Sequence, residues 1–386
     1  MKGRVGLPPQ RDKIMMPHKI YRFFLSACFS LLLLIFMHPA ISFAQDSREF
    51  KIFQFPQNII PSIDGNASDW EIVGEEYSVG LNQLTDDRDS GSHKSANPAN
   101  LDVKVKVGWV KGMNRLYFLY QAYDDYWDFS LPDLHNDIFE LVVDGDRSGG
   151  PFISPFHPIK NLDPMESYFS FQGVHAQNYH IYTPAVGKEW AFVWGSQSWI
   201  KKLPYANAAY DYQFQPGDSG KLTVEFWITP FDYAGYEGPS RAVESVLTEN
   251  KNVGISWAII DYDNVVTKGN HNNNGFWILS KERKMYGDAS FLLPFRLMPL
   301  ESRFLKPIDA QWSFSVIDMN RRTVAFTDES TGKITSWKWD FGDGTTSAEQ
   351  HPVHSYSKAG MYVVVLWVEG PSGKSRMAKV WDVAVK

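Results

Sequence analysis

The sequence predicts an all-β protein built as two β-sandwiches, one large and one small. Three observations carry that expectation. Residues 101–109 (Leu-Asp-Val-Lys-Val-Lys-Val-Gly-Trp) alternate apolar and polar side chains with the period of a half-buried strand. Similar runs recur between turn signals rich in Gly, Asn, Asp and Pro, the spacing of an all-β fold. Helical spacing is rare, and residues 241–248 are its best short candidate. Aromatic residues make up 15% of the chain, a level that suits strands and also flat ligand-stacking surfaces.

The elements follow in order. Residues 1–44 read as a secretory leader. Lys2, Arg4, Arg11, Lys13, Lys19 and Arg22 precede an apolar run over 23–37, and Ser42-Phe43-Ala44 offers small residues for cleavage before Gln45. An uncleaved anchor or a lipid-modified Cys28 are the alternatives. Cleavage removes the single cysteine, so the exported chain is held without disulfides and has no thiol nucleophile or zinc-thiolate site. The net charge of −6 excludes a general nucleic-acid binder, and no second long apolar run predicts stable membrane insertion.

Residues 116–122 complete a hairpin with 101–109 across Gly112-Met113-Asn114. Strands are expected at 138–143, 166–171, 191–194, 222–228, 253–262 and 290–297. Prolines 294, 299 and 307 then punctuate a junction. Alternation restarts at Trp312, with strands at 323–327, 336–341, 361–369 and 377–385. Five of the 14 tryptophans lie in this last part, enough for a small core of its own. The expected domains are residues 45–300 and 308–386.

Two motifs in the small part stand at matching separation. Trp339-Asp340-Phe341-Gly342-Asp343-Gly344 places two rings on one strand face ahead of a tight turn. Pro352-Val353-His354 and Tyr356 then lead into Ala359-Gly360, Tyr362, Val364 and Leu366. Together they closely resemble the PKD (polycystic kidney disease) domain. That resemblance implies an immunoglobulin-like β-sandwich acting as a spacer or adhesive module with a possible protein partner. It also implies turn and packing roles, not catalysis, for Asp340, Asp343, His351 and His354.

In the large part, Ile63-Asp64-Gly65 and Trp70 open a pattern continued by Leu116, Tyr117 and Asp124, by Asp137, Glu140 and Asp144, and by Trp277 and Tyr286-Gly287. This order resembles the family-9 carbohydrate-binding modules. The resemblance implies a non-catalytic protein that grips a poly- or oligosaccharide, or a glycan end, beside polysaccharide-degrading enzymes. It implies Glu140 as the carboxylate, Trp277 as one stacking ring, and Asn272 and Asn274 as amides. Leu134 and His135 stand where the family carries its second ring, and Trp127 is the nearest substitute. Asp144, Asp146 and Ser148 offer oxygen side chains at alternate positions: either the start of a calcium loop or a solvated Asp-Gly turn, since the usual closing glutamate position holds Pro155. Other relatives of this sandwich bind haem, which makes His157, His175, His180, His271, Met165 and Met285 alternative ligands; a structural surface protein is the third reading. Asp137 and Glu140, three apart on a strand, do not form a glycosidase pair.

Overall fold

The computed structural model describes residues 48–87, 95–131, 134–154, 157–263 and 274–386, apart from the side chains of residues 380–382. The expected leader, Asn272 and His271 lie outside the described residues. No described helix is long and apolar enough to cross a membrane.

The first fifteen strands are β1 (Phe50–Phe55), β2 (Ser78–Gly80), β3 (Thr85–Asp86), β4 (Leu101–Val110), β5 (Leu116–Asp124), β6 (Ile138–Asp144), β7 (Gln177–Tyr182), β8 (Ala191–Val193), β9 (Ala206–Tyr212), β10 (Gly220–Ile228), β11 (Phe231–Tyr233), β12 (Val243–Glu244), β13 (Asn252–Asp261), β14 (Gly275–Ile278) and β15 (Leu293–Leu297). One helix, α1 (Pro164–Phe171), stands between β6 and β7. Two sheets result. One runs β8-β7-β6-β13-β15, with β14 and β3 at its side; the other runs β4-β5-β10-β9, with β2 beside β4. Strand β1 joins them, pairing with β15 through Phe50–Ile52 and with β4 through Phe53–Phe55.

The main core fills the space between the sheets. Tyr120 of β5 stacks on Phe139 of β6 at 4.8 Å, and Trp109, Phe118, Phe226 and Trp257 pack in the same layer. Both outer faces are covered as well, so β6 is buried along its whole length. Over the β4-β5-β10 sheet, the Ile63-Asp64-Gly65 turn and Trp70 close on Glu225. Its carboxylate accepts from Trp70 Nε1 at 2.9 Å and from the Gly65 N–H at 2.8 Å. A buried carboxylate must be hydrogen-bonded, and the opening motif supplies the donors. Over the other sheet lies a smaller core of Ile138, Val142, Phe152, Ala258, Ile278 and Met285.

The remaining strands are β16 (Trp312–Asp318), β17 (Thr323–Asp328), β18 (Ser336–Asp340), β19 (Thr346–Ser347), β20 (Val353–Ser355), β21 (Gly360–Gly370) and β22 (Gly373–Val385). A three-stranded sheet, β16-β17-β20, and a four-stranded sheet, β19-β18-β21-β22, enclose Trp312, Phe326, Trp339, Phe341 and Leu366. The fold is all-β, as expected.

Two expected elements differ. Residues 166–171 form helix α1 instead of a strand. Asp163 caps it, its Oδ1 accepting from the Met165 and Glu166 N–H groups at 2.8 and 3.0 Å, with Pro164 in the first turn. Residues 241–248 form no α-helix: a 3-10 turn over Pro239–Arg241 leads into β12. Strands β1, β2, β3, β7, β9, β11, β12, β14, β19 and β20 were not anticipated.

Candidate functional site

Strand register builds one polar cluster on the outer face of the β8-β7-β6-β13 sheet. Phe192 pairs with His180, His180 with Glu140, and Glu140 with Ala258, so these side chains form a row across four strands. Phe139 and Leu141, on either side of Glu140, point into the main core, as strand alternation requires. Asn178 sits two residues before His180 on the same face. Its Nδ2 donates to Glu140 Oε1 at 2.7 Å and to the Tyr286 carbonyl at 3.0 Å.

Glu140 is only 3% exposed. His180 Nε2 lies 3.5 Å from Glu140 Oε1. Burial nevertheless holds the His180 imidazole below its ordinary pKa, outweighing the pull of Glu140 toward the charged form. With Nε2 directed at the carboxylate, Nδ1 of the neutral ring is an acceptor. Asn178 Oδ1 and His180 Nδ1 are both buried and have no hydrogen-bond partner. A buried polar atom left unmet typically costs about 1–3 kcal/mol. A ligand hydroxyl donating to either atom would recover part of that.

Aromatic rings border the cluster. Phe192 and Trp194 lie 6.1 and 6.3 Å from the His180 ring and 5.8 Å from each other, and both are partly exposed, as is Tyr286. Trp194 is fixed by a tight pair of turns. Gly195 has φ +119°, and a Cβ there would come within 2.6 Å of the Gln172 carbonyl; a Cβ on Gly173, φ +71°, would meet the Trp194 carbonyl at 2.6 Å. Only glycine fits at both places. Acceptors with partly exposed rings beside them are the chemistry that a polyol with an apolar face requires.

The two tryptophans expected to stack a ligand are elsewhere. Trp127 is 1% exposed, stacks on Phe214 at 5.0 Å and donates from Nε1 to the Gly220 carbonyl. Trp277 is 3% exposed and pairs with Ile259, whereas Glu140 pairs with Ala258. One step of register puts Trp277 and Glu140 on opposite faces of the sheet. Both rings belong to the main core. Asn274 directly precedes β14, opposite the end of β13, and its Nδ2 donates to Asp263 Oδ2 at 2.6 Å. Of the expected ligand-binding residues that the structure describes, Glu140 alone belongs to the polar cluster. The pattern of β7 and β8, with Asn178, His180, Phe192 and Trp194 at alternate positions, was the overlooked signal.

The Asp144 loop is closed by its own donors. The Gly149 N–H bonds Asp144 Oδ2 and the Ser148 N–H bonds Asp146 Oδ1, each at 2.9 Å. Burial pushes the Asp144 carboxyl up to about 6. A second acidic group unites Asp124, Asp137 and Asp261, all buried, with one oxygen of each within 4.8 Å of the others. Burial, reinforced by Asp263 and Asp125, pushes Asp124 up to about 7, and Asp137 is raised well above the carboxylate range by burial and by Asp124 and Asp261. Of the alternative haem ligands, Met165 is exposed on α1, Met285 is buried in the outer-face core, and His157 Nδ1 accepts from the Ile159 and Lys160 N–H groups.

In the small sandwich, His354 Nε2 meets Asp343 Oδ2 at 2.7 Å while its ring lies flat on Phe341 at 4.2 Å. Burial alone would raise the Asp343 carboxyl, but hydrogen bonds from Thr345 and His354 outweigh it and hold the group below its ordinary value. Asp340 Oδ1 accepts from the Gly342 N–H, and His351 Nδ1 from the Asp328 N–H. These residues shape turns and packing.

The family model of the PKD domain matches residues 310–385. Collagenase ColQ1 of Bacillus cereus is 52% identical over 58 residues, 15% of this chain and 6% of that protein. The PKD1 domain of the Vibrio cholerae metalloprotease PrtV is 32% identical, covering 19% of this chain and 93% of that one, with a TM-score of 0.18. A family-9 carbohydrate-binding module of Caldicellulosiruptor kristjanssonii, solved with cellotriose, is 10% identical over 67% of this chain and 98% of that one, with a TM-score of 0.39. The chain spans less than a tenth of the length of the curated relatives it matches. Residues 310–385 belong to the PKD domain family.

Proposed function

We propose that the large sandwich is an exported, non-catalytic carbohydrate-binding module and that Glu140, Asn178 and His180 form its site. The observation that carries this is the row Phe192–His180–Glu140 with Asn178 beside it: a buried carboxylate, two unmet acceptors and partly exposed rings on one sheet face. Sugar hydroxyls donate to such acceptors, while the C–H face of a pyranose stacks on Trp194, with Phe192 at its edge. The PKD domain acts as a spacer or contact module, and the protein works beside a separate polymer-degrading enzyme. Export rests on the leader motif of residues 1–44. The test is a glycan array probed with the full chain and with Glu140→Gln, which keeps the shape of the side chain and removes its charge. Loss of the array signals in a folded Glu140→Gln protein supports the reading; an unchanged profile refutes it.

A further inference from the structure

Among the described residues, every Phe, Tyr or Trp side chain that is 36% exposed or more belongs to one band. The six are Tyr168, Phe169, Phe192, Trp194, Tyr236 and Tyr286, with exposures from 36% to 56%. The links between them are short. Phe192 and Trp194 are 5.8 Å apart, and the Tyr168 hydroxyl donates to the carbonyl of Gly195, next to Trp194, at 2.9 Å. Tyr168 then meets Phe169 at 5.5 Å, and Phe169 meets Tyr236 at 5.6 Å. At the other end, the Tyr286 backbone is bonded to Asn178 in the Glu140 cluster. The band therefore starts at the proposed sugar site and leads away from it over helix α1.

Rings at this exposure forgo burial that folding would otherwise favour, so their collection in one strip points to a ligand. The strip is also free of stacked cations. No Lys or Arg lies over any of the six rings among the described residues, whereas elsewhere Arg115 sits over Trp227 at 4.0 Å and Arg283 over Phe276 at 4.5 Å. Among the described residues, the only buried charge at its head is the Glu140 carboxylate, which disfavours an acidic polymer. Neighbouring rings are steeply inclined, by 87° between Tyr168 and Phe169 and 70° between Phe169 and Tyr236. A flat crystalline face needs coplanar rings; a stepped strip suits a single twisted chain.

We propose that this band is an extended track for one soluble, neutral polysaccharide chain, with one sugar unit at Glu140 and further units on the rings toward Tyr236. The proposal rests on the carbohydrate reading of the Glu140 cluster, and its test separates the two. The full chain is run in native gels containing mixed-linkage β-glucan, xyloglucan, galactomannan or polygalacturonate. At least one neutral polymer should retard it, and polygalacturonate should not. The double variant Phe169→Ala/Tyr236→Ala should weaken that retardation about tenfold or more, while a disaccharide cut from the same polymer binds it as it binds the unaltered protein. Glu140→Gln should weaken both polymer and disaccharide. Matching melting curves confirm that the double variant, altered only at exposed rings, is folded. If the double variant is retarded like the unaltered protein while Glu140→Gln is not, the track is wrong and the pocket stands. If no neutral polymer retards the protein, or only polygalacturonate does, the track is overturned; if Glu140→Gln also leaves the glycan-array profile unchanged, the carbohydrate reading falls with it.

Discussion

Asn178 Nδ2 donates to Glu140 Oε1 at 2.7 Å, and the same amide nitrogen bonds the Tyr286 carbonyl at 3.0 Å. One side chain therefore ties a buried carboxylate on β6 to the loop that carries an exposed ring. The donation also fixes which way the amide faces, leaving Oδ1, like His180 Nδ1, an unmet acceptor. A supporting hydrogen bond of this kind locks the rotamer of a side chain whose backbone the strand already fixes.

Trp127 and Trp277 are core residues, and truncating either should unfold or loosen the large sandwich. Replacement of a buried tryptophan by alanine costs about 3–5 kcal/mol. Thermal melts of Trp127→Ala and Trp277→Ala should shift down sharply, while Trp194→Ala, partly exposed, should shift far less. A Trp277→Ala protein with an unaltered melt would place that ring outside the core.

The buried acid group predicts a pH dependence of defined sign. Folding raises Asp124 from its ordinary 3.8 to about 7, so the stabilisation it contributes is complete below about pH 4 and is lost as pH rises through 7. Asp137 acts in the same direction. His175 and His180, depressed by burial, act oppositely: their contribution is present above about pH 6.5 and lost as pH falls. The difference between the unaltered protein and Asp124→Asn isolates the first effect. Chemical denaturation should show the variant gaining on the unaltered protein as pH rises from 4 to 8, and a constant difference would contradict the assignment.

The legible part of this protein was its strands and its small domain. Alternation in 101–109 and the Trp339–Gly344 motif depend only on neighbours in sequence, and both elements stand as expected. The site was less legible because it is made by register. Whether Trp277 shares a face with Glu140 turns on one residue of pairing against β13, which no local pattern encodes. Helix α1 was misread because Tyr168, Phe169 and Phe171 also suit a strand, and the Asp163-Pro164 cap was passed over. The Asp64-Gly65 motif was visible, but its role as the clamp on Glu225 required a contact across 160 residues.

Calcium at Asp144, Asp146 and Ser148 makes a separate prediction. Excess chelator should lower the melting temperature, and Asp146→Ala should abolish the chelator effect. If the melt is indifferent to chelator, the loop is the self-bonded turn that its N–H groups describe.

The junction should be the preferred protease site. Arg303 donates to the Ile72 carbonyl and the Tyr77 hydroxyl bonds Glu301, whereas Lys306 and Pro307 are exposed. Limited digestion with a broad-specificity protease such as subtilisin should therefore cut near Lys306 and release a folded PKD domain, read by mass and by its own melting transition. Cutting spread evenly along the chain would contradict two independently folded modules.

The most direct test of the account is titration calorimetry of the best glycan-array ligand against the unaltered protein and Trp194→Ala. The ring contributes stacking without holding the core, so the account predicts an intact melt and about tenfold weaker binding. Equal affinity for both proteins would contradict a sugar site at Glu140, Asn178 and His180.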